Sequence, residues 1–183
     1  MIAGSVAEEV LRKTELPILI TRPNIVVHEW KRIVVALDGS ERSESILPEA
    51  VRLARKLNAE VDVLRVAMPT IAAGAGEAPV VIPPEDPMPY LKSVVRGLEK
   101  EGIRARAVAF EGRAAHEILA HLEASGASLL CMTTHGRTGL ARFLLGSVAE
   151  EVVRKTPCPV LLRRSVPASE AQSAPAKKIL KVR

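Results

Sequence analysis

Apolar positions along this chain follow two alternating periods. Short runs of aliphatic and β-branched residues predict buried strands, and between them apolar residues recur at the three- and four-residue spacing of a helix. Five strands are predicted, at residues 32–37, 61–67, 104–110, 128–133 and 160–163. Four helices are predicted between them, at residues 43–57, 89–100, 114–125 and 147–155. Strands and helices in this order predict an α/β domain with a mostly parallel sheet and helices on both faces.

Prolines mark two places where this alternation changes. Pro48 falls in the first turns of the helix predicted at residues 43–57, where proline is tolerated. Residues 67–90 carry six prolines and two glycines, which predicts an irregular excursion after the second strand. We therefore expect one domain with a single irregular insertion.

The N-terminus repeats a later part of the chain. Residues 4–22 (GSVAEEVLRKTELPILITR) match residues 146–164 (GSVAEEVVRKTPCPVLLRR) at a constant offset of 142, with 13 of 19 positions identical. Convergence on an amphipathic helix does not explain this, because the polar positions match too. The offset is about one domain length, so residues 1–25 are interpreted as the last helix and strand of a preceding domain copy. The source would be a tandem repeat cut at an internal methionine, or a rearranged gene.

This repeat makes a structural prediction. An unpaired apolar strand is a liability in water. Residues 17–21 are therefore expected to be ordered and to add to a sheet edge, in this chain or by exchange with a neighbour. Residues 4–13 are expected to form a helix that packs with this strand.

Composition narrows the possible partners and location. The chain is 48% hydrophobic but only 2% aromatic, so its core must be aliphatic. Of the net charge of +5, residues 165–183 carry +3, and the remaining domain is nearly neutral without an aromatic platform for bases, which argues against nucleic acid. Cys131 and Cys158 lie in apolar surroundings and predict buried thiols in a reducing compartment. Without a membrane-length apolar stretch or a signal-peptide pattern, we expect no membrane contact and a cytoplasmic location.

Candidate chemistry lies after the first and fourth predicted strands. Asp38 and Gly39 follow the first, and a glycine-rich segment that includes Gly136 follows the fourth. In parallel α/β sheets, ligands bind at the carboxyl ends of strands. Gly146 and Ser147 stand at the start of the last helix, where free backbone N–H groups and the helix dipole favour a phosphate.

An ordinary helix cap is the alternative at that position. Ser147 would be the N-cap, and Glu150 three residues later would complete a capping box. Both interpretations stay open, and both can be true at once.

The histidines do not form a convincing catalytic or metal site. His116 and His121 are five residues apart rather than the four that a zinc helix requires, so we interpret them as surface histidines. His135 has no nucleophile spaced for a triad and is interpreted as a loop histidine near a ligand.

Asp38 stands at the end of the first strand, residues 132–140 read MTTHGRTGL, and residues 144–164 read LLGSVAEEVVRKTPCPVLLRR. These three features together resemble the universal stress protein family. The resemblance implies a Rossmann-like (adenine nucleotide alpha hydrolase-like) fold with a five-stranded, mostly parallel sheet. It implies a universal stress domain at residues 30–166, followed by a flexible basic tail at residues 167–183.

The resemblance also implies a nucleotide site. Members that bind ATP are similar in carrying G-x-x-G, nine residues, then G-[S/T]. Here Gly136 is the second glycine, Gly146-Ser147 ends the motif, and Thr133 stands at the first glycine position, where the backbone would approach the ribose or phosphates. The residues implied beside the adenine and ribose are Ala36, Asp38, Val66 and the backbone of Met132, together with Thr133. Those implied around the phosphates are Gly136, Gly139, Gly146, Ser147 and Val148, with Arg137 and Thr138 as either further contacts or solvated loop residues.

The function that this implies is a regulatory stress-response protein that binds ATP or AMP, with Mg or Mn near Asp38. It would not be an enzyme beyond slow ATP hydrolysis, and it would form a homodimer or higher homo-oligomer through edge strands. The alternative is a nucleotide-independent dimerisation and interaction module of the same fold, which Thr133 favours. An ATP-using transferase or ligase is a third hypothesis, and the chain lacks the histidine-rich motifs of such enzymes.

Overall fold

A computed structural model describes residues 14, 16–72, 80–134 and 145–164 of the chain. The predictions for residues 4–13, 135–144 and 167–183 lie outside this part. The main sheet contains β1 (Ile18–Ile20), β2 (Arg32–Ala36), β3 (Glu60–Ala67), β6 (Ala105–Glu111), β7 (Leu129–Thr133) and β8 (Val160–Arg163). The strands β4 (Thr70–Ala72) and β5 (Val80–Ile82) form a separate antiparallel pair.

The described helices alternate with these strands. They are α1 (Glu41–Glu44), α2 (Leu47–Leu57), α3 (Met88–Lys100), α4 (Ala114–Ser125) and α5 (Ser147–Lys155). Among the described residues, no helix is long and apolar enough to cross a membrane.

The sheet order is β1-β8-β7-β2-β3-β6. The five strands from β8 to β6 are parallel, which confirms the predicted α/β class. The predicted strand number was wrong: the sheet has six strands, because β1 pairs antiparallel with β8. The expectation that residues 17–21 would add to a sheet edge is confirmed for β1, and the pairing is within the same chain.

Aliphatic side chains fill both faces of the sheet. On one face, α4 and α5 bury Ala115, Ile118, Leu122, Ala149, Val152 and Val153 against the sheet. On the other face, α2 and α3 bury Ala50, Val51, Ala54, Leu91 and Leu98. Cys131 and Cys158 are buried free thiols, as predicted, and burial raises the pKa of both, which keeps them protonated.

Two predicted elements differ from the structure. The helix predicted at residues 43–57 is divided into α1 and α2 by a turn, with Pro48 at the start of α2, where its missing N–H costs nothing. The excursion at residues 67–90 is not wholly irregular, because it contains β4 and β5. The flanking prolines led to the wrong prediction: Pro69 and Pro83 lie just outside the two strands and leave their hydrogen bonds intact.

A charged cluster lies at the amino-terminal half of the sheet, beneath α4. The Asp62 side chain is only 1% exposed and receives hydrogen bonds from Arg106 Nε (2.7 Å) and Nη2 (2.8 Å). Arg32 lies 3.4 Å from Asp62, and His121 Nε2 lies 2.9 Å from its Oδ2. The interpretation of His121 as a surface histidine was therefore wrong, whereas His116 is exposed as expected. A buried carboxylate requires such partners, and His121 is one of them.

These partners set the pKa of Asp62. Burial raises this pKa, but hydrogen bonds from Arg106 and His121 and the charges of Arg106 and Arg32 outweigh burial and hold the pKa below its ordinary value. Because the folded pKa is the lower one, the carboxylate stabilises the fold above the unfolded pKa of about 3.9. That contribution is lost as the pH falls through the folded value.

Asp62→Asn is expected to lower the free energy of unfolding at pH 7 by about 2 kcal/mol, less than for a fully buried pair because Arg106 is half exposed. Urea titrations of both proteins from pH 7 to pH 3 should show the difference shrinking below about pH 4. Glu85→Gln removes the same charge from an exposed position and serves as the control. A difference that stays constant down to pH 3 would contradict this account.

Candidate functional site

The carboxyl ends of β2, β3 and β7 lie side by side at one edge of the sheet. Ala36 pairs with Leu64 of β3, and Val35 pairs with Cys131 of β7. Ala36 and Met132 are buried and Val66 is half-buried, and all three belong to the core on the α4 and α5 face. The structure thus brings the three apolar residues predicted beside an adenine to the same face and edge.

Asp38 lies in a turn that fixes its carboxylate. Asp38 Oδ1 accepts hydrogen bonds from Ser40 N (3.0 Å) and Ser40 Oγ (2.6 Å). The Ser40 side chain also accepts from Ser43 N and caps α1, while Ser43 Oγ accepts from Asp38 N. These bonds bind the turn to the start of α1, so the carboxylate is held in place at the edge of the sheet. Asp38 was predicted from the sequence, whereas its two serine partners were not.

Gly39, in the same turn, allows a cation to approach the backbone. Its φ is +84°, and a Cβ built there would lie 2.9 Å from Arg65 Cζ. Arg65 is only 8% exposed, and its guanidinium lies over the Tyr90 ring at 5.3 Å from the centroid. Within the described part of the chain, Arg65 makes no hydrogen bond or ion pair. A buried positive charge therefore lies beside the Asp38 turn.

Arg65 was not among the site residues predicted from the sequence. The available signal was a charged residue inside the apolar strand predicted at residues 61–67, and the same signal marked Asp62. A parallel strand covered on both faces is usually apolar throughout, so each charge within it needs a reason.

The last helix is tied to the end of β7. Gly146 N donates to Thr134 O at 2.8 Å, and Thr134 N donates to Arg163 O at 2.9 Å. The first of these bonds joins the two ends of the segment at residues 135–144. It places the start of α5, with Ser147, beside the carboxyl edge that carries Asp38 and Met132.

The capping box predicted at the start of α5 is wrong. Gly146 is the cap residue, in an extended conformation, and it makes no side-chain hydrogen bond to the first turn. The Glu150 backbone N–H is bonded to Gly146 O at 2.9 Å, as in an ordinary helix. Glycine has no side chain with which to cap, so the cap residue supplies no side-chain acceptor to the N–H groups of the first turn, and the helix dipole adds to their affinity for an anion.

Thr133 is the last residue of β7 and pairs with Arg163. It is 6% exposed. Because side chains alternate along a strand, it lies on the face of Leu129 and Cys131, opposite Met132. Its side chain is therefore buried in the layer away from Ala36 and Met132, which reduces the obstruction that its position in the motif implied.

Most of the predicted site residues thus meet at one edge. The residues placed there are Ala36, Asp38, Val66, Met132, Thr133, Gly146, Ser147 and Val148. Gly136, Gly139, Arg137 and Thr138 lie outside the described residues. For the eight placed residues and for these four alike, a role in nucleotide binding stays a prediction.

A surface groove lies away from this edge. This groove of about 900 Å³ between α2 and α3 is lined by residues such as Val51, Arg55 and Val94, and by Tyr90, whose ring also contacts Arg65. Within the described ranges, no group of three or more His, Cys, Asp or Glu side chains could hold a metal ion by itself.

Two known proteins that are similar to this chain are both called universal stress proteins. Universal stress protein YxiE of Bacillus subtilis is 31% identical over 147 residues, which cover 74% of this chain and 99% of that protein. A universal stress protein of Methanocaldococcus jannaschii is 36% identical over 138 residues, which cover 73% of this chain and 81% of that protein.

Solved structures are similar to this chain over the same region or more. A universal stress protein from Archaeoglobus fulgidus has a TM-score of 0.67 and 25% identity over 88% of this chain, which spans 54% of that chain's length. Two neighbours with TM-scores of 0.58 and 0.51 are universal stress proteins in complex with cAMP and with dAMP, the latter from Archaeoglobus fulgidus. They are 20% and 21% identical, cover 75% and 76% of this chain and 99% and 100% of their own, and show the fold.

A family model described as the universal stress protein family matches residues 29–164. This match covers the five parallel strands and the edge at which the predicted site residues meet. Together with the relatives above, it shows that this chain belongs to the universal stress protein family.

Proposed function

We propose that this protein binds an adenine nucleotide, ATP or AMP, at the carboxyl edge of β2, β3 and β7. The observation that carries the proposal is the hydrogen bond from Gly146 to Thr134, which holds a helix N-terminus with glycine at its cap position beside the Asp38 turn. Solved neighbours that are complexes with cAMP and dAMP support the adenine nucleotide as the ligand class.

The residues divide into two groups in this proposal. Ala36, Val66 and Met132 form an apolar surface for the adenine, and the fixed Asp38 carboxylate accepts hydrogen bonds from the base or the ribose. Backbone N–H groups bind the phosphates, with the α5 dipole adding to the attraction. The phosphate group consists of Gly136, Gly139, Gly146, Ser147 and Val148, with Arg137 and Thr138 as further candidates.

Asp38 would also hold the metal. Mg²⁺ in nucleotide sites is usually bound by one or two carboxylates and by the substrate phosphates, rather than by an all-protein cage. The Asp38 carboxylate lies at this edge, so it fits Mg or Mn that arrives with the nucleotide and neutralises its phosphate charge.

We propose a regulatory role in the stress response, in the cytoplasm, with ATP hydrolysis slow at most. Asp38 Oδ1 is bonded to both donors of Ser40, an arrangement that orients a ligand rather than transfers protons. A homodimer or higher homo-oligomer through edge strands would relay nucleotide occupancy to partners. The second candidate function is a nucleotide-independent interaction module, which Thr133 at the first glycine position of the motif favours.

Titration calorimetry on the purified protein tests the proposal directly. We expect ATP or AMP to bind in the micromolar range, and Gly136→Val to cost about 2 kcal/mol or more by obstructing the backbone approach of the phosphates. Gly97→Val is the matched control, because Gly97 is exposed in α3 with open space around it. If neither nucleotide binds to the parent protein, the interaction-module function takes its place.

Thr133→Gly should leave ATP affinity unchanged or raise it, because it restores the first glycine of the motif and the Thr133 side chain faces away from Met132. It should also lower the thermal midpoint, since glycine in a strand costs about 0.5–1 kcal/mol. Calorimetry and thermal unfolding on the same sample separate the two effects. A clear loss of affinity would identify Thr133 as a ligand contact.

Gly39→Ala is expected to destabilise the fold by about 1 kcal/mol, because a non-glycine residue is strained at positive φ. It should also weaken nucleotide binding, since the new methyl group displaces Arg65 beside the Asp38 turn. The loss of affinity should be smaller in an Arg65→Met background, where the guanidinium is already absent. Equal losses of affinity in both backgrounds would show that Arg65 does not cause the effect. Gly97→Ala is the control for a glycine replacement elsewhere in the chain.

A further inference from the structure

Arg65 is a buried cation whose charge no other residue compensates. The residue is 8% exposed, and its guanidinium makes no hydrogen bond or ion pair within the described part of the chain. Removing a charge from water is costly, so buried cations in proteins are normally paired with a carboxylate or bind a ligand. Asp62, the other buried charged residue of β3, has Arg106 and His121 as its partners. The position of Arg65 therefore needs another reason.

The neighbours of Arg65 contact its guanidinium without accepting from it. A Cβ built on Gly39 would lie 2.9 Å from Arg65 Cζ, and 3.0 and 3.2 Å from the two terminal nitrogens. Because the central carbon is the nearest of the three atoms, Gly39 lies over a face of the guanidinium and not at its edge. The Tyr90 ring makes a cation–π contact, with its centroid 5.3 Å from Cζ. The N–H donors of a guanidinium point outward in its plane, so neither contact satisfies them.

The hydroxyl of Tyr90 is a second donor of this kind. Its oxygen is buried and has no hydrogen-bond partner among the described residues. Burial raises the pKa of Tyr90, and the charge of the nearby Glu44 carboxylate raises it further, so the hydroxyl stays protonated and can donate. A buried polar group without a partner is costly to the fold. Two such groups in contact, one on β3 and one on α3, indicate that an acceptor binds to both.

Arg65 lies on the side of the Asp38 turn that faces away from α5. Val63 and Leu64 belong to the cores on opposite faces of the sheet, so the alternation of side chains places Arg65 on the face of Val63, which α2 and α3 cover. The helix α5 packs on the other face. The turn lies between the two, because Gly39 contacts Arg65. A phosphate chain bound at the start of α5 therefore leaves Arg65 available to another anionic group.

We propose that Arg65 and Tyr90 form a second phosphate subsite, and that it binds a 2′- or 3′-phosphate on the ribose of an adenine nucleotide. A guanidinium presents paired N–H donors that match phosphate oxygens, and the tyrosine hydroxyl donates a further hydrogen bond. The inference rests on the proposed function, in which the ribose lies beside Asp38. A phosphate on the 2′ or 3′ oxygen is then the group that extends past the turn toward Arg65. Free phosphate is the other source of the same chemistry.

Titration calorimetry on the full chain tests the subsite with AMP, adenosine 2′,5′-bisphosphate, adenosine 3′,5′-bisphosphate and inorganic phosphate. We expect one of the bisphosphates to bind at least about tenfold more tightly than AMP, because charge-assisted hydrogen bonds are strong. Arg65→Met should remove most of this preference, and Tyr90→Phe should remove part of it, since the ring remains. Arg52→Met is the matched control, because it removes the same charge from an exposed position in α2 and should keep the preference of the parent.

Thermal unfolding without ligand separates binding from a structural role. A buried cation without a partner destabilises the fold, so Arg65→Met should leave the thermal midpoint of the ligand-free protein unchanged or raise it. Replacing a cation that the fold needs would lower the midpoint instead. If Arg65→Met does not fold, Arg65→Lys takes its place, because lysine keeps the charge but cannot form the paired hydrogen bonds and should also lose most of the preference.

Three results would overturn the ribose-phosphate subsite: equal affinity of the parent for AMP and both bisphosphates, a preference that survives Arg65→Met, or a lower thermal midpoint of ligand-free Arg65→Met. Equal nucleotide affinities, with inorganic phosphate binding to the parent but not to Arg65→Met, would identify free phosphate as the ligand. Binding of AMP without a preference for a bisphosphate contradicts only the subsite. Binding of inorganic phosphate that depends on Arg65, without binding of any nucleotide, contradicts the nucleotide site and the ribose phosphate but keeps Arg65 as an anion-binding residue.

Discussion

The structure depends on one constraint, a parallel sheet that is covered by helices on both faces. Its strands must be apolar on both sides, which the runs in β2, β7 and β8 satisfy with Val, Leu and Ile. Because the strands are parallel, their carboxyl ends lie at a common edge. The residues of the candidate site come from distant parts of the chain, and the direction of the strands is what brings them together.

The strand β3 carries two buried charged residues that depart from this constraint, one in each half of the strand. Asp62, in the amino-terminal half, is neutralised by Arg106, Arg32 and His121, so its charge stabilises the packing of β3 against α4. Arg65, in the carboxyl-terminal half, has the Tyr90 ring beside it and no carboxylate partner within the described residues. The first charge is compensated within the fold, whereas the second adds positive charge at the edge proposed for an anionic ligand.

Sequence periodicity predicted α4, α5 and β8 with the bounds that the structure has, because each carries a strong apolar pattern and a clear stop signal. It did not predict the partners of His121, because Asp62 is 59 residues away and spacing along one helix contains no information about it. The pairing of β1 could be anticipated from the repeat, although its register could not. At the site, the strand ends were predictable from the fold, whereas the Ser40 bonds and the position of Arg65 depend on side-chain packing.

Helix α5 connects the edge proposed for the nucleotide with the β1 segment. Its first turn, after Gly146, presents N–H groups to the nucleotide edge, and its last carbonyls accept hydrogen bonds from Arg22 of the β1 segment. A phosphate at the positive end of the helix dipole and a guanidinium at the negative end each stabilise the same nine-residue helix. Where two ligands stabilise one conformation, each raises the affinity for the other by the same factor. A nucleotide at one end of α5 and the β1 segment at the other end would therefore stabilise the same helix conformation.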